Sequence, residues 1–207
     1  MNAGRQTLTE RRAEELRLQV ARTAVEIFVS DGDTSATIER IAEAAGISPR
    51  TFYRHFAVKE DVVRPLFRAS SAEVITALAT APDDGDLVET LVAAWTSSLR
   101  DGKLTPFERR FLKLMAETPQ YRLRWLEVDD ELCAATAEFL RKRIVPGDHP
   151  LRRSLPAYLL VHATRHVFDY WISADSDEDI AELLRGTFQT VLAGVEATRP
   201  AQAAGKG

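Results

Sequence analysis

The sequence predicts an all-α protein of about nine helices, and three observations carry that expectation. Apolar residues recur at three- and four-residue spacing along most of the chain. No stretch sustains the period-two alternation of a half-buried strand. The interruptions are helix punctuation, with Gly or Pro beside a capping Ser, Thr or Asp.

At 207 residues, 45% of them hydrophobic, the chain is long enough for one large or two small domains and too apolar for a disordered one. Its single cysteine, Cys133, excludes an internal disulfide and suits a reducing compartment. The first thirty residues carry Arg5, Arg11, Arg12, Glu14, Glu15, Arg17 and Arg22 without the apolar run of a secretory signal. No stretch approaches the roughly 20 apolar residues of a membrane span. A cytoplasmic location is expected.

The stretch Met1 to Thr7 is polar and expected to be disordered; Arg5 lies where a basic arm would reach a minor groove, but a frayed terminus is the preferred reading. From Thr9 to about Asp31 the stripe Leu16, Val20, Ala24, Ile27 and Phe28 marks a first helix, stopped by Asp31-Gly32. Arg11 and Arg12 suit phosphates or plain solvent equally.

The segment ATIERIAEAAGISPRTFYRHFAVKED, residues 36 to 61, reads as two short helices around a glycine turn. Thr37 is a helix N-cap. Ile38, Ile41 and Ala45 supply an apolar face, and Gly46 stops the helix because a left-handed residue costs glycine nothing. Ser48-Pro49 opens the second helix as cap and first-turn proline. Phe52 and Phe56, four apart, face inward, which leaves Arg50, Thr51, Tyr53, Arg54 and His55 on the other faces. Between Ser48 and Lys59 there are three basic residues and no acid. Such a display fits a helix that enters a DNA major groove. Arg50, Thr51 and Arg54 are candidates for base or near-base contact, whereas Ser48, Tyr53, His55 and Lys59 suit phosphates. Thr37 and Pro49 complete the DNA-facing set.

The run T-I-x-x-I-A-x-x-A-G-I-S-x-x-T-F-Y-x-H-F-x-x-K-E, Thr37 to Glu60, resembles the DNA-binding signature of the TetR/AcrR family of transcriptional regulators. That resemblance implies about nine helices, a homodimer, a ligand-responsive C-terminal domain and, most often, a repressor. It divides the chain into a DNA-binding domain at residues 1–64 and a ligand-binding and dimerisation domain at residues 65–207.

A fourth helix is expected from about Lys59 to Thr80, with Pro65 inside it as a candidate bend. After the turn at Ala81 to Gly85, helices are expected over about 86–100, 106–117 and 119–143, the second opened by Thr105-Pro106. Residues 145–150 form a loop signal. Pro156 either kinks the next helix or marks its start. The last two helices, residues 151–173 and 177–197, are apolar on more than one face, as expected if one face packs inward and another on a second copy. Plain core helices would show the same pattern. The tail from Pro200 is Ala/Gly-rich and expected to be disordered.

Large side chains concentrate in the C-terminal part. Trp95, Phe111, Met115, Trp125, His162, His166 and Tyr170 are candidate ligand-binding residues for a small hydrophobic molecule held between helices. Aromatics at helical spacing also fit plain core. The segment FERRFLKLMAETPQYRLR is similar to the C-terminal domain of family members proposed to bind acyl-CoA-like ligands. His162 and His166 with Asp169 share a helix face but lack the further ligand a metal site requires, so no metal is expected.

Net charge is −4, but its distribution matters more. Residues 1–64 hold ten Lys or Arg and ten Asp or Glu, and residues 65–207 hold seventeen and twenty-one. There is no glycine-rich phosphate loop, G-x-S-x-G, H-E-x-x-H or CxxC pair, so neither an enzyme nor a cofactor is expected. The alternative is a helical protein-interaction adaptor without DNA binding. The acid-free display from Ser48 to Lys59 favours DNA.

Overall fold

The computed structural model describes residues 7–100, 102–144 and 149–197. Residues 1–6 of the expected polar N-terminal stretch, Arg5 among them, the tail from Pro200 and most of the 145–150 loop lie outside these residues, whereas Thr7, expected in that stretch, serves as a helix cap. The elements are α1 (Leu8–Asp31), α2 (Ile38–Ala44), α3 (Pro49–His55), a 3-10 turn (Lys59–Val63), α4 (Arg64–Thr80), α5 (Leu87–Thr96), α6 (Pro106–Glu117), α7 (Pro119–Leu126), α8 (Asp129–Arg143), α9 (Pro150–Ser173) and α10 (Ile180–Ala197). Among the described residues there is no β-strand; one isolated bridge pairs Arg100 with Lys103. The all-α class holds. The count rises slightly above nine because the expected helix over 119–143 breaks near Glu127. There Val128 turns into the core, 5% exposed, and α8 restarts at a buried Asp129 that pairs with Arg165 of α9 at 2.5 Å.

Helix ends are set by local chemistry. Thr7, two residues earlier than the expected start at Thr9, caps α1 through a full capping box with Glu10: Glu10 N–H donates to Thr7 Oγ1 at 3.2 Å, and Thr7 N–H to Glu10 Oε2 at 2.8 Å. Gly32 ends the helix at φ 76°. Pro65 is the second residue of α4, where its missing N–H has no intrahelical role, so it opens the helix and does not bend it. Helix α9 runs through Pro156 without interruption.

The chain packs as two compact units. The first joins residues 1–71 to residues 104–128, so α6 and α7 share the unit of the helix-turn-helix segment. Its core holds Val20, Phe28, Ile41, Phe52, Val62 and Phe67 together with Phe111, Met115 and Tyr121. The second comprises residues 72–103 and 129–207, where α9 packs on α8 and α10, and α10 packs on α5. Leu91, Leu160, Ile172, Leu184 and Phe188 are buried there. Compactness thus follows a different line from the sequence division at 64/65, because α6 and α7 return to α1 and the 3-10 turn.

Candidate DNA interface

The first unit carries an exposed cationic helix on an apolar base. In α2, Thr37 Oγ1 accepts the Arg40 N–H at 3.2 Å, and the Arg40 guanidinium pairs with Asp31 at the end of α1. Gly46 turns the chain at φ 70°, which favours glycine although a Cβ there would meet nothing within 4 Å. Ser48 Oγ then accepts the Thr51 N–H at 3.1 Å and Pro49 opens α3.

Phe52 and Phe56 bury the inner side of α3, 0% and 3% exposed, with ring centroids 4.9 Å apart. Burying two phenyl groups contributes about 2–3 kcal/mol each, which fixes the side of this seven-residue helix that faces solvent. On that side lie Arg50, Tyr53 and Arg54, with Tyr53 55% exposed. Neither Arg50 nor Arg54 is paired with another described residue. Ser48 and Thr51 sit at the helix start with their hydroxyls 3.0 Å apart.

Two expected phosphate ligands stand elsewhere. Lys59 Nζ donates to the Thr34 carbonyl at 2.8 Å and to the Ala36 carbonyl at 3.3 Å, bracing the α1–α2 loop. His55 is half-buried with both ring nitrogens shielded from solvent and unpartnered. Burial, then the charges of Arg17 and Arg54, hold its pKa below the ordinary 6.5. The neutral ring completes the seat of α3 and presents no donor outward.

Compactness also redistributes charge. The first unit holds 16 Lys and Arg against 13 Asp and Glu, a net +3, and the second holds 11 against 18, a net −7. The division at residue 64 concealed part of this contrast because it assigned Arg109, Arg110, Lys113, Arg122 and Arg124 to the acidic part.

The seven expected ligand residues divide between the two units. Phe111, Met115 and Trp125 belong to the first unit, where the Phe67 ring stacks on Trp125 at 5.4 Å and on Phe111 at 5.8 Å. Trp95 lies in the second unit, buried edge-on against Phe188. His162, His166 and Tyr170 are exposed on α9, and Tyr170 OH donates to Glu178 Oε2 at 2.8 Å. The spacing of apolar residues marked buried faces; it did not say what each face packs against. A shallow groove lined by Ala72, Glu73, Thr76, Ala77, Thr80 and Ser97 contains none of the seven. No group of three potential metal ligands occurs among the described residues. Cys133 is buried and its thiol is pushed up to about 11, by burial first and then by Asp129 and Asp130, so it is a core side chain with little thiolate character.

Residues 21–66 match the model of the bacterial regulatory proteins of the tetR family, and this span contains α2, the glycine turn and α3. The HTH-type transcriptional regulator TcmR of Streptomyces glaucescens is 30% identical over 143 residues, 66% of this chain and 63% of that protein. The chain is similar to the TetR/AcrR family over its helix-turn-helix segment and in its fold. A second relative by sequence, the HTH-type transcriptional regulator SrpR of Pseudomonas putida, is 24% identical over 89% of this chain and 88% of its own. Thermus thermophilus FadR, a TetR-family repressor solved with lauroyl-CoA, has the same fold. Its TM-score is 0.64 at 22% identity over 92% of this chain and 99% of FadR. The TetR-family regulator SCO4454 of Streptomyces coelicolor is 25% identical with a TM-score of 0.56, over 87% of this chain and 96% of SCO4454. The chain spans 63% of TcmR's length.

Proposed function

We propose that this chain is a TetR/AcrR-family, ligand-responsive, DNA-binding transcriptional regulator, a repressor that binds a palindromic operator as a homodimer and is released by a small hydrophobic molecule. One observation carries the DNA reading: α3 is seated by Phe52 and Phe56 and turns Arg50, Tyr53 and Arg54 outward, with both arginines unpaired. Arg50 and Thr51 near the helix start suit base edges; Arg54, expected beside the bases, stands a turn further along α3 and reaches the backbone there, as Tyr53 does. Thr37, Ser48 and Pro49 hold the two helices at their N-termini.

The dimer reading is supported by α9. Leu151, Leu155, Tyr158, Leu159 and Tyr170 are 67%, 52%, 44%, 44% and 50% exposed, a stripe of large side chains along one helix. A single subunit would leave it in water. We assign residues 151–197 to the interface, residues 1–64 to DNA contact and residues 65–207 to ligand binding and dimerisation. Two recognition helices would then enter successive major grooves about 34–36 Å apart. A ligand releases the operator only as far as it binds the free and DNA-bound states unequally. The lauroyl-CoA of the FadR complex supports a hydrophobic ligand class. No catalytic constellation or cofactor is assigned, and no described helix is long and apolar enough to cross a membrane, in keeping with a cytoplasmic regulator.

The test is selection of bound duplexes from a random DNA pool by the purified full chain at fixed salt. Enrichment of a palindrome bound by an even number of subunits is expected. If no sequence is enriched at low salt by a folded protein, the DNA reading fails and the adaptor replaces it.

A further inference from the structure

We propose that Lys59 is a positioning residue that fixes the start of α2 and thereby the seat of α3, with its charge engaged inside the protein and not on a DNA phosphate. The consequence for DNA rests on the function proposed above; the contact itself does not.

Helix α1 and α2 are joined by a short loop whose carbonyls lie outside both helices and need other donors. Ala36 in this loop is 5% exposed, so its backbone is largely cut off from water. Lys59, 23 residues further on, supplies the missing donor: one ammonium reaches Ala36 O at 3.3 Å and Thr34 O at 2.8 Å. Asp33 closes the same loop by accepting the Ser35 N–H at 2.7 Å. The hydrogen bonds from Ser35 hold its carboxyl below the usual range, and the charges of Arg40 and Lys59 add to them. The next residue after Ala36 is Thr37, the N-cap of α2. Helices of seven residues such as α2 and α3 do not hold themselves in water. Their orientation depends on tertiary anchors, and Lys59 ties the loop before α2 to the 3-10 turn after α3.

The outward arginines of α3 behave differently. They are exposed and unpaired, so a phosphate that meets them displaces only water and counterions. Two of the three ammonium N–H groups of Lys59 are held on carbonyls, one of them at a largely buried residue, so the side chain is fixed toward the loop and not extended toward solvent as Arg50 and Arg54 are.

The experiment compares full-length Lys59→Met, Lys59→Arg and Arg54→Ala with the parent chain. It reads the slope of log binding constant against log salt on the selected operator, and amide hydrogen exchange over residues 33–38 in the free protein. All measurements are made where circular dichroism shows full folding. Lys59→Met is expected to weaken binding to operator and unrelated duplexes alike by about tenfold. Its salt slope stays at the parent value, and exchange at residues 35–38 accelerates. Lys59→Arg keeps the charge and is expected not to rescue, since a planar guanidinium does not present the ammonium's donors to those two carbonyls. Arg54→Ala should lower the slope by about 0.9, one phosphate's share. A slope lowered by about 0.9 in Lys59→Met and restored in Lys59→Arg overturns the proposal, as does unchanged exchange in both variants. Should the parent chain bind no duplex, the DNA reading fails separately, and the exchange measurement alone decides the role of Lys59.

Discussion

Arg124 Nε lies 2.9 Å from Asp61 Oδ1, with the side chains only 19% and 12% exposed. Arg124 is in α7 and Asp61 in the 3-10 turn behind α3. Arg64 adds a second cation 3.4 Å from the same carboxylate oxygen, and Glu127 binds both arginines. The Asp61 contacts are close ion pairs without well-directed hydrogen bonds, so their strength is mainly Coulombic. The network fastens α7 to the segment that follows α3, which is why α7 packs within the first unit.

Removing the shared anion leaves the largely buried Arg124 and the partly exposed Arg64 close together, with Glu127 as the carboxylate still bound to both. Asp61→Ala should therefore cost about 2–4 kcal/mol, read as a lowered urea midpoint. Arg124→Met should cost less, because Arg64 still pairs with Asp61. Equal losses would mean that Arg64 does not share the carboxylate in solution.

His55 makes stability depend on pH. Its pKa is depressed in the fold, through burial first and then Arg17 and Arg54, so folding favours the neutral ring. Its contribution is full above the unfolded value near 6.5 and is lost as pH falls through the folded value. The parent chain should lose more stability than His55→Gln as pH falls below 6.5. Parallel urea midpoints across that range would show that the ring is not shielded.

Arg50→Ala should cost about 1–3 kcal/mol of operator affinity and much less on unrelated duplexes. Titration of both duplexes at one salt concentration gives the comparison. Equal losses on the two would move Arg50 to the backbone contacts.

On α9, Leu155→Glu with Leu159→Glu places two charges on a stripe that is half exposed in one subunit. The double variant should sediment as a monomer with an unchanged circular dichroism spectrum. A persistent dimer would remove this face from the interface.

Tyr121 is 2% exposed, sits edge-on to Phe28 at 5.5 Å and has an unpartnered hydroxyl. Tyr121→Phe removes a buried polar atom without altering the ring, so stability should hold or rise by up to about 1 kcal/mol. A clear fall in Tm would reveal a hydrogen bond to water or to a ligand.

Helix α3 was legible because its determinants are local. Caps, a glycine at positive φ and two phenylalanines four apart act within a few residues of themselves, and they orient α3 without reference to the rest of the chain. The assignments that shifted involve distant partners. Lys59 looked like a surface cation until the carbonyls of Thr34 and Ala36 came within its reach. His55 looked outward until its ring nitrogens proved to be shielded. Phe111, Met115 and Trp125 looked like pocket walls, but Phe67 and its neighbours pack against them.

The sequence by itself determined the all-α class, the capped helix-turn-helix and the arginines it displays, since backbone preference and helical periodicity are short-range properties. Tertiary structure alone decided which cations are free and which are tied, where α6 and α7 pack, and how charge divides between the units. Those outcomes depend on pairs such as Asp61 and Arg124, far apart in the chain and close in space, for which no local pattern carries a signal.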